Sequence, residues 1–320
     1  MPLDPALFRP EAISEETAAF NKQLLEMMAA VPATFELTPA EARAQSESRF
    51  SQMYPRDEEA RNITIAGPRG ELELRVYEPA GQPDGVYLHF HGSGFVVFRP
   101  HHFDFLNRAM VEATNVVVVS VYYGLGPEDP YPAAFDDGEY AGLWIAKNAA
   151  AEFGTSTLVI GGESAGGELA AATLLRLRDK HDFTGFAAAN LVYGGYGAGW
   201  TPSILAAKGN RVLGLESIEW FMKHAFNGQP YAELASELPL AQDLRGLPPA
   251  LFTIGTLDAL LDDNLYMYGR WIAAGNEAEF AAYPGGLHGF DLYPTTLAAD
   301  ARKRMYGFIR ERIRGPVGVR

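Results

Sequence analysis

The chain contains no cysteine. That absence excludes a disulfide framework, a thiolate nucleophile, an iron–sulfur cluster and cysteine-ligated zinc. Basic charge is also scarce: 26 Lys and Arg stand against 40 Asp and Glu, a formal net charge of −14. Such a chain repels phosphate backbones, and no basic stripe with interleaved aromatics offsets it, so no nucleic-acid partner is expected. Long hydrophobic runs are missing. The longest surrounds Val116–Tyr123, far short of the ~18 residues of a membrane helix, so no membrane insertion is expected. The first residues, MPLDPALFRPEAISEETAAF, carry acids and no apolar h-region, which points to a cytoplasmic protein. Neither G-x-G-x-x-G nor G-x-x-x-x-G-K-[ST] occurs, which removes the dehydrogenase and kinase readings.

What is present suffices for a large core: 320 residues, 48% of them apolar. The chain opens with two helical patterns. Phe20, Leu24, Met28 and Val31 recur at helical spacing after Ser14, a good N-cap. Thr38-Pro39-Ala40-Glu41 then combines a capping box with a proline at the first helical position. From about Ile63 strands and helices alternate. Strand patterns fall at Ile63–Ile65, Leu72–Tyr77, Gly85–His91, Asn115–Val121, Thr157–Ile160, Ala187–Val192, Ala250–Thr256 and Glu277–Tyr283. Helical patterns fall at Phe103–Ala113, Phe135–Asn148, Glu168–Lys180, Asn264–Ala273 and Leu297–Ile313. Hairpin-spaced early strands followed by strand–helix alternation predict an α/β fold, its mostly parallel sheet covered on both faces. One connection is too long: roughly 60 residues separate the strands at Ala187 and Ala250. It begins with the glycine-rich run Gly194–Trp200 and holds a helical pattern at Leu215–Ala225, as a substrate lid would.

Gly162-Glu163-Ser164-Ala165-Gly166 fits G-x-S-x-G, the turn that presents a nucleophilic serine between a strand and a helix. A strand pattern directly before it and a helix pattern directly after supply that context. A serine hydroxyl is a poor nucleophile near neutral pH and needs a base. Among seven histidines, His288 stands apart in the glycine-flanked loop Pro284–Phe290 after the last strand pattern. A carboxylate must then fix the histidine tautomer. Asp258 follows the strand at Ala250, whereas Asp262 and Asp263 read more simply as charges at the start of the next helix. The order Ser164…Asp258…His288 is that of α/β-hydrolases. His91-Gly92-Ser93-Gly94-Phe95, at the end of the third strand, is close to an HGGG-type oxyanion loop. One such donor is worth about 3–4 kcal/mol in the transition state.

Together these blocks resemble the bacterial hormone-sensitive-lipase-like esterases, the family IV carboxylesterases. HGSGF at 91–95, YYGLGPEDPYPAAFDD at 122–137, GESAGG at 162–167, LPPALFTIGTLDALLDD at 247–263 and YPGGLHGF at 283–290 follow the family's order. The resemblance implies an α/β-hydrolase fold with a helical cap. It implies Ser164 as nucleophile, His288 as base, Asp258 as orienting acid, and an oxyanion hole from the N–H groups of Ser93, Gly94 and Ala165. His91 would shape that loop rather than act as a base. Residues 1–55 would contribute helices to the cap, and 56–320 would form the catalytic domain with a cap insertion at about 195–235. Short- to medium-chain esters are the implied substrates. Three departures stand out: Ser93 replaces the central glycine of HGGG, Glu163 the usual aspartate, and Gly124 the arginine of YRLAPE.

Phe95, Trp200, Trp220 and Phe221 are candidate acyl-pocket or lid residues, since apolar walls suit an acyl chain. Amide, formamide or lactone hydrolysis would use the same machinery. A non-catalytic ligand binder is the rival of another class, and it would typically have lost a triad member. His89, His91, His101 and His102 raise a metal hydrolase, but no H-x-H-x-D-H run follows. His89 then reads as a core histidine and the pair at 101–102 as loop residues. No cofactor and no metal are expected. The expected partner is a small-molecule ester, with a homodimer as the one assembly left open.

Overall fold

The computed structural model describes residues 3–197, 199–229 and 231–314. Ala198, within the glycine-rich run, lies outside the described residues. Eight strands form one sheet: β1 (Arg61–Gly67), β2 (Gly70–Tyr77), β3 (Gly85–Phe90), β4 (Val116–Val121), β5 (Leu158–Glu163), β6 (Phe186–Val192), β7 (Ala250–Gly255) and β8 (Ala278–Tyr283). Their order is β1-β2-β4-β3-β5-β6-β7-β8. β1 and β2 form an antiparallel hairpin, β2 runs antiparallel to β4, and the remaining neighbours are parallel.

The helices are α1 (Glu15–Ala29), α2 (Pro39–Met53), α3 (Asp104–Thr114), α4 (Ala133–Phe153), α5 (Ala165–His181), α6 (Pro202–Ala206), α7 (Leu215–Ala225), α8 (Tyr231–Leu234), α9 (Leu261–Ala273) and α10 (Thr296–Arg314). Both expected caps form: Ser14 accepts from Thr17 N at 3.1 Å, and Thr38 and Glu41 close a reciprocal box. Every residue of β3, β4 and β5 is buried, as a sheet covered on both faces requires. In β4, Val117, Val119 and Val121 face one core with α4, α5 and α9. Val116 and Val118 face the other, with α3 and α10. No helix among the described residues is long and apolar enough to cross a membrane.

Two boundaries moved for physical reasons. Asn115, expected in a strand, instead ends α3 in the left-handed region at φ 58°, which asparagine tolerates. α5 starts three residues earlier than its apolar pattern, at Ala165, because the serine turn feeds directly into the helix. Among the described residues, the long connection holds α6 and α8 besides the expected helix α7. α6 begins at Thr201-Pro202, an N-cap plus a first-position proline. This is the α/β-hydrolase fold. Parallel strands put the segments after β3, β5, β7 and β8 at one edge of the sheet.

Candidate active site

Ser164 follows β5 with φ 56° and ψ −121°, and Val192 O accepts its N–H at 2.8 Å. A non-glycine residue held there stores about 1–3 kcal/mol of strain. The flanking glycines are forced by contact. A Cβ on Gly162 or Gly166 would come within 2.0 or 1.8 Å of Phe90 O, at the end of β3. The turn is thus wedged against the neighbouring strand.

His288 hangs from the loop after β8. Gly285 takes φ 78° there, its N–H donates to Thr256 Oγ1 at 2.9 Å, and Gly286 packs on Gly255. The imidazole Nε2 lies 2.9 Å from Ser164 Oγ, and Nδ1 lies 2.9 and 3.1 Å from the two carboxylate oxygens of Asp258. Asp258 is buried and also accepts from Leu260 N. A carboxylate facing Nδ1 selects the Nδ1–H tautomer, which leaves the Nε2 lone pair toward the serine hydroxyl. Tyr193 sets its ring edgewise to the imidazole at 4.8 Å, and its hydroxyl donates to Asp291 at 2.5 Å. Burial pushes the Asp291 carboxyl up to about 6.

The loop after β3 is pinned from beneath. Tyr123 donates to His91 O at 2.5 Å, and the Ser93 hydroxyl lies 2.8 Å from the same phenol while accepting from Phe95 N at 2.8 Å. The Ser93 hydroxyl therefore serves the turn and not the cavity. Among the described residues, no protein acceptor takes the N–H groups of Ser93, Gly94 or Ala165. All three residues line the cavity that holds Ser164 and His288. His91 is fully buried and stacks on Tyr123 at 4.3 Å, and burial pushes its imidazole well below its usual value. The Ser164 hydroxyl bonds to His288 instead.

The other departures find compensating partners. Glu163 lies 2.9 Å from Nε2 of buried His89, whose Nδ1 lies 2.8 Å from Ser120 Oγ. At Gly124 an arginine arrives from elsewhere. Arg69, in the β1–β2 turn, reaches Asp137 at 2.6 Å, and Gly124 N donates to the same carboxylate oxygen at 2.8 Å. A Cβ on Gly124 would meet Arg69 Nη2 at 2.8 Å.

The cavity encloses about 270 Å³. Phe95 and Phe221 line it, as expected of pocket residues, and Trp200 stands on its rim, 47% exposed. Trp220, on α7 of the connection expected to hold the lid, does not line the cavity: its indole turns the other way and donates to Leu37 O at 3.0 Å. Residues that sequence reasoning missed include Met28, Arg49 and Phe50 from α1 and α2, and the buried pair Glu168 and Asp263. Burial, then the charge of Asp263, pushes the Glu168 carboxyl well above its usual value. Glu168 looked like an ordinary acid near a helix start, so only its burial reveals it. Asp262 accepts from Ser203 N at 2.9 Å and so fastens α6 to α9, while His288 turns to Asp258.

A serine–histidine–aspartate chain at the carboxyl edge of such a sheet defines a class of hydrolases. Residues 87–292 match the family described as alpha/beta hydrolase fold. The chain belongs to that family and is a carboxylic-ester hydrolase of its bacterial hormone-sensitive-lipase-like branch. It is 29% identical to Esterase LipI of Mycobacterium tuberculosis, across 94% of this chain and 97% of that protein. It is 28% identical to an acetyl esterase of Salmonella schwarzengrund, across 84% and 85%. Among solved structures, a hyperthermophilic esterase from the archaeon Pyrobaculum calidifontis superimposes with a TM-score of 0.84 at 27% identity, over 97% of this chain and 98% of that one.

Proposed function

We propose that the chain hydrolyses short- to medium-chain carboxylic esters through an acyl-enzyme intermediate on Ser164. The observation that carries this reading is the continuous hydrogen-bonded chain Ser164–His288–Asp258 opening onto a mostly apolar cavity. His288 Nε2 takes the hydroxyl proton as Ser164 Oγ attacks the ester carbonyl, and Asp258 stabilises the imidazolium. The N–H groups of Ser93, Gly94 and Ala165, left without protein acceptors among the described residues, receive the oxyanion; Ala165 N adds the positive end of α5. His288 then gives its proton to the leaving alkoxide. Water enters, loses a proton to His288 and cleaves the acyl-enzyme by the same route.

The cavity volume of about 270 Å³ lies at the small end for ligand sites, which suits short acyl groups. The similarity to an acetyl esterase supports the same direction. Residues 1–55 and about 195–235 act as the cap. Phe50 from the first segment and Phe221 and Met222 from the second line the cavity, and Arg211 and Trp220 donate to Met28 O, Val31 O and Leu37 O across the two. A panel of p-nitrophenyl esters of increasing chain length, with an anilide as amide control, tests the reading. Turnover is expected to peak at the short esters and to be absent on the anilide. Faster anilide cleavage would reassign the enzyme as an amidase.

A further inference from the structure

His101 and His102, two of the histidines that the catalytic reading leaves unused, meet a carboxylate on the outer side of the cavity wall. We propose that Glu47, His101 and His102 form a binding site for a divalent transition-metal ion of the zinc type, joining α2 to the short turn Pro100–Phe103. Glu47 Oε2 lies 3.0 Å from His101 Nε2 and 3.1 Å from His102 Nε2. Ligand atoms about 2.0–2.1 Å from a tetrahedral zinc ion stand roughly 3.3 Å apart; the two Glu47 contacts come within a few tenths of an ångström of that, and all three ligand atoms lie within 4.8 Å of one another. Two imidazoles and one carboxylate leave the fourth position to water.

Three further observations favour an ion over a plain hydrogen-bonded cluster. His102 Nε2 is buried and makes no hydrogen bond, although Glu47 Oε2 is close: the carboxylate stands off the N–H direction. Each imidazole also has an oxygen near its other nitrogen. Arg99 O lies 3.1 Å from His102 Nδ1, toward which Arg99 N also donates at 3.0 Å, and the Tyr122 hydroxyl lies 3.5 Å from His101 Nδ1. Metal-bound histidines usually donate from the second nitrogen in this way. A proton on Nδ1 leaves each Nε2 lone pair to the ion; at His102 this exchanges the bond accepted from Arg99 N for one donated to Arg99 O. Finally, the rings of Phe50 and Phe98 pack 5.5 Å from His102 and give the site an apolar flank. Arg56 holds Glu47 Oε1 at 2.6 Å, which leaves Oε2 toward the rings while placing a positive charge nearby. Asp104, the nearby negative group, is already paired with Arg75. The site is therefore of moderate affinity. It acts on the cavity wall, because α2 carries Arg49 and Phe50 and the turn carries Phe103, all of which line the cavity.

The test is calorimetric titration of the chelator-stripped full chain with zinc, with cobalt as spectroscopic probe. One ion is expected to bind at micromolar zinc, to raise the thermal midpoint, and to give the visible bands of four-coordinate cobalt; calcium and magnesium should do neither. Glu47→Gln combined with His101→Asn should weaken binding by about tenfold or more. Arg56→Gln should tighten it several-fold, a gain that misfolding cannot imitate. Absence of binding up to millimolar zinc overturns the proposal. So does unchanged affinity in the Glu47→Gln/His101→Asn variant, which would place the ion on other histidines, or an octahedral cobalt spectrum.

Discussion

The wall of the cavity that carries Ser164, Asp258 and His288 grows from the ends of strands buried on both faces, whereas the facing wall is laid down by peripheral helices. α1 buries only Thr17 and Leu24, α2 only Ala42, and α7 only Ser217, Trp220 and Ala225. The first wall can hold strain, because Phe90 O, Val192 O and the neighbouring glycines over-determine the Ser164 turn. The second is held by a few long-range hydrogen bonds, such as Trp220 to Leu37 O and Arg211 to Met28 O and Val31 O. Chemistry sits where the fold is rigid, and access is governed where it is thin.

The sharpest way to break this contrast is at the nucleophile. Ser164→Ala should reduce kcat on p-nitrophenyl acetate by about 10⁵ or more with unchanged folding. Retained turnover would remove the catalytic role of the first wall. Asp258→Asn should reduce kcat by about 10⁴, through the wrong histidine tautomer, while Asp262→Asn should leave it nearly unchanged. The reverse ranking would mean that the wrong carboxylate orients His288.

Gly94 is where the walls touch. It takes φ 56°, and a Cβ there would stand 2.3 Å from the Phe221 ring of α7. Gly94→Ala should lower kcat/KM by about 10²–10³ by displacing an oxyanion donor. Adding Phe221→Ala should restore part of that loss, and no recovery would mean that the two walls are independent at this point.

Asp291 tests the buried side of the first wall. Its carboxyl is raised from 3.8 to about 6 by burial. The folded state therefore binds the proton more tightly than the unfolded chain. The stabilisation is complete below about pH 4 and is lost as pH rises through 6. Asp291→Asn should then gain stability over the parent at pH 8, by about 3 kcal/mol at most, and show little gain at pH 4. Urea midpoints at the two pH values measure this; a loss at pH 8 would show that the Tyr193 bond outweighs burial. The smallest effect belongs to the second wall. Trp220→Phe should cost about 1 kcal/mol of stability by removing the bond to Leu37 O, with kcat unchanged. A fall in kcat instead would mean that α7 shapes the chemistry as well as the entrance.

The nucleophile turn was legible because its cause is local: a buried strand, two glycines and a helix within twenty residues. The same holds for the caps at Ser14 and Thr38, and for the glycine loop that carries His288. That Trp220 faces Leu37 was not legible, because helical spacing says that it is buried but not which neighbour it faces. Ser93 could be seen as a departure, but its use as a pin to Tyr123 could not, since that partner lies 30 residues away on another strand end.

By itself, then, the sequence determined the alternation of strands and helices, the serine turn, and the order of the residues that meet at the sheet edge, all encoded by periodicity and turn chemistry over a few residues. Only the tertiary structure decided which distant groups meet. It brought Arg69 over Gly124, set Glu168 beside Asp263 in the cavity wall, and placed Glu47 against His101 and His102. Such encounters depend on how helices and strand ends pack in three dimensions, and no spacing along the chain encodes them.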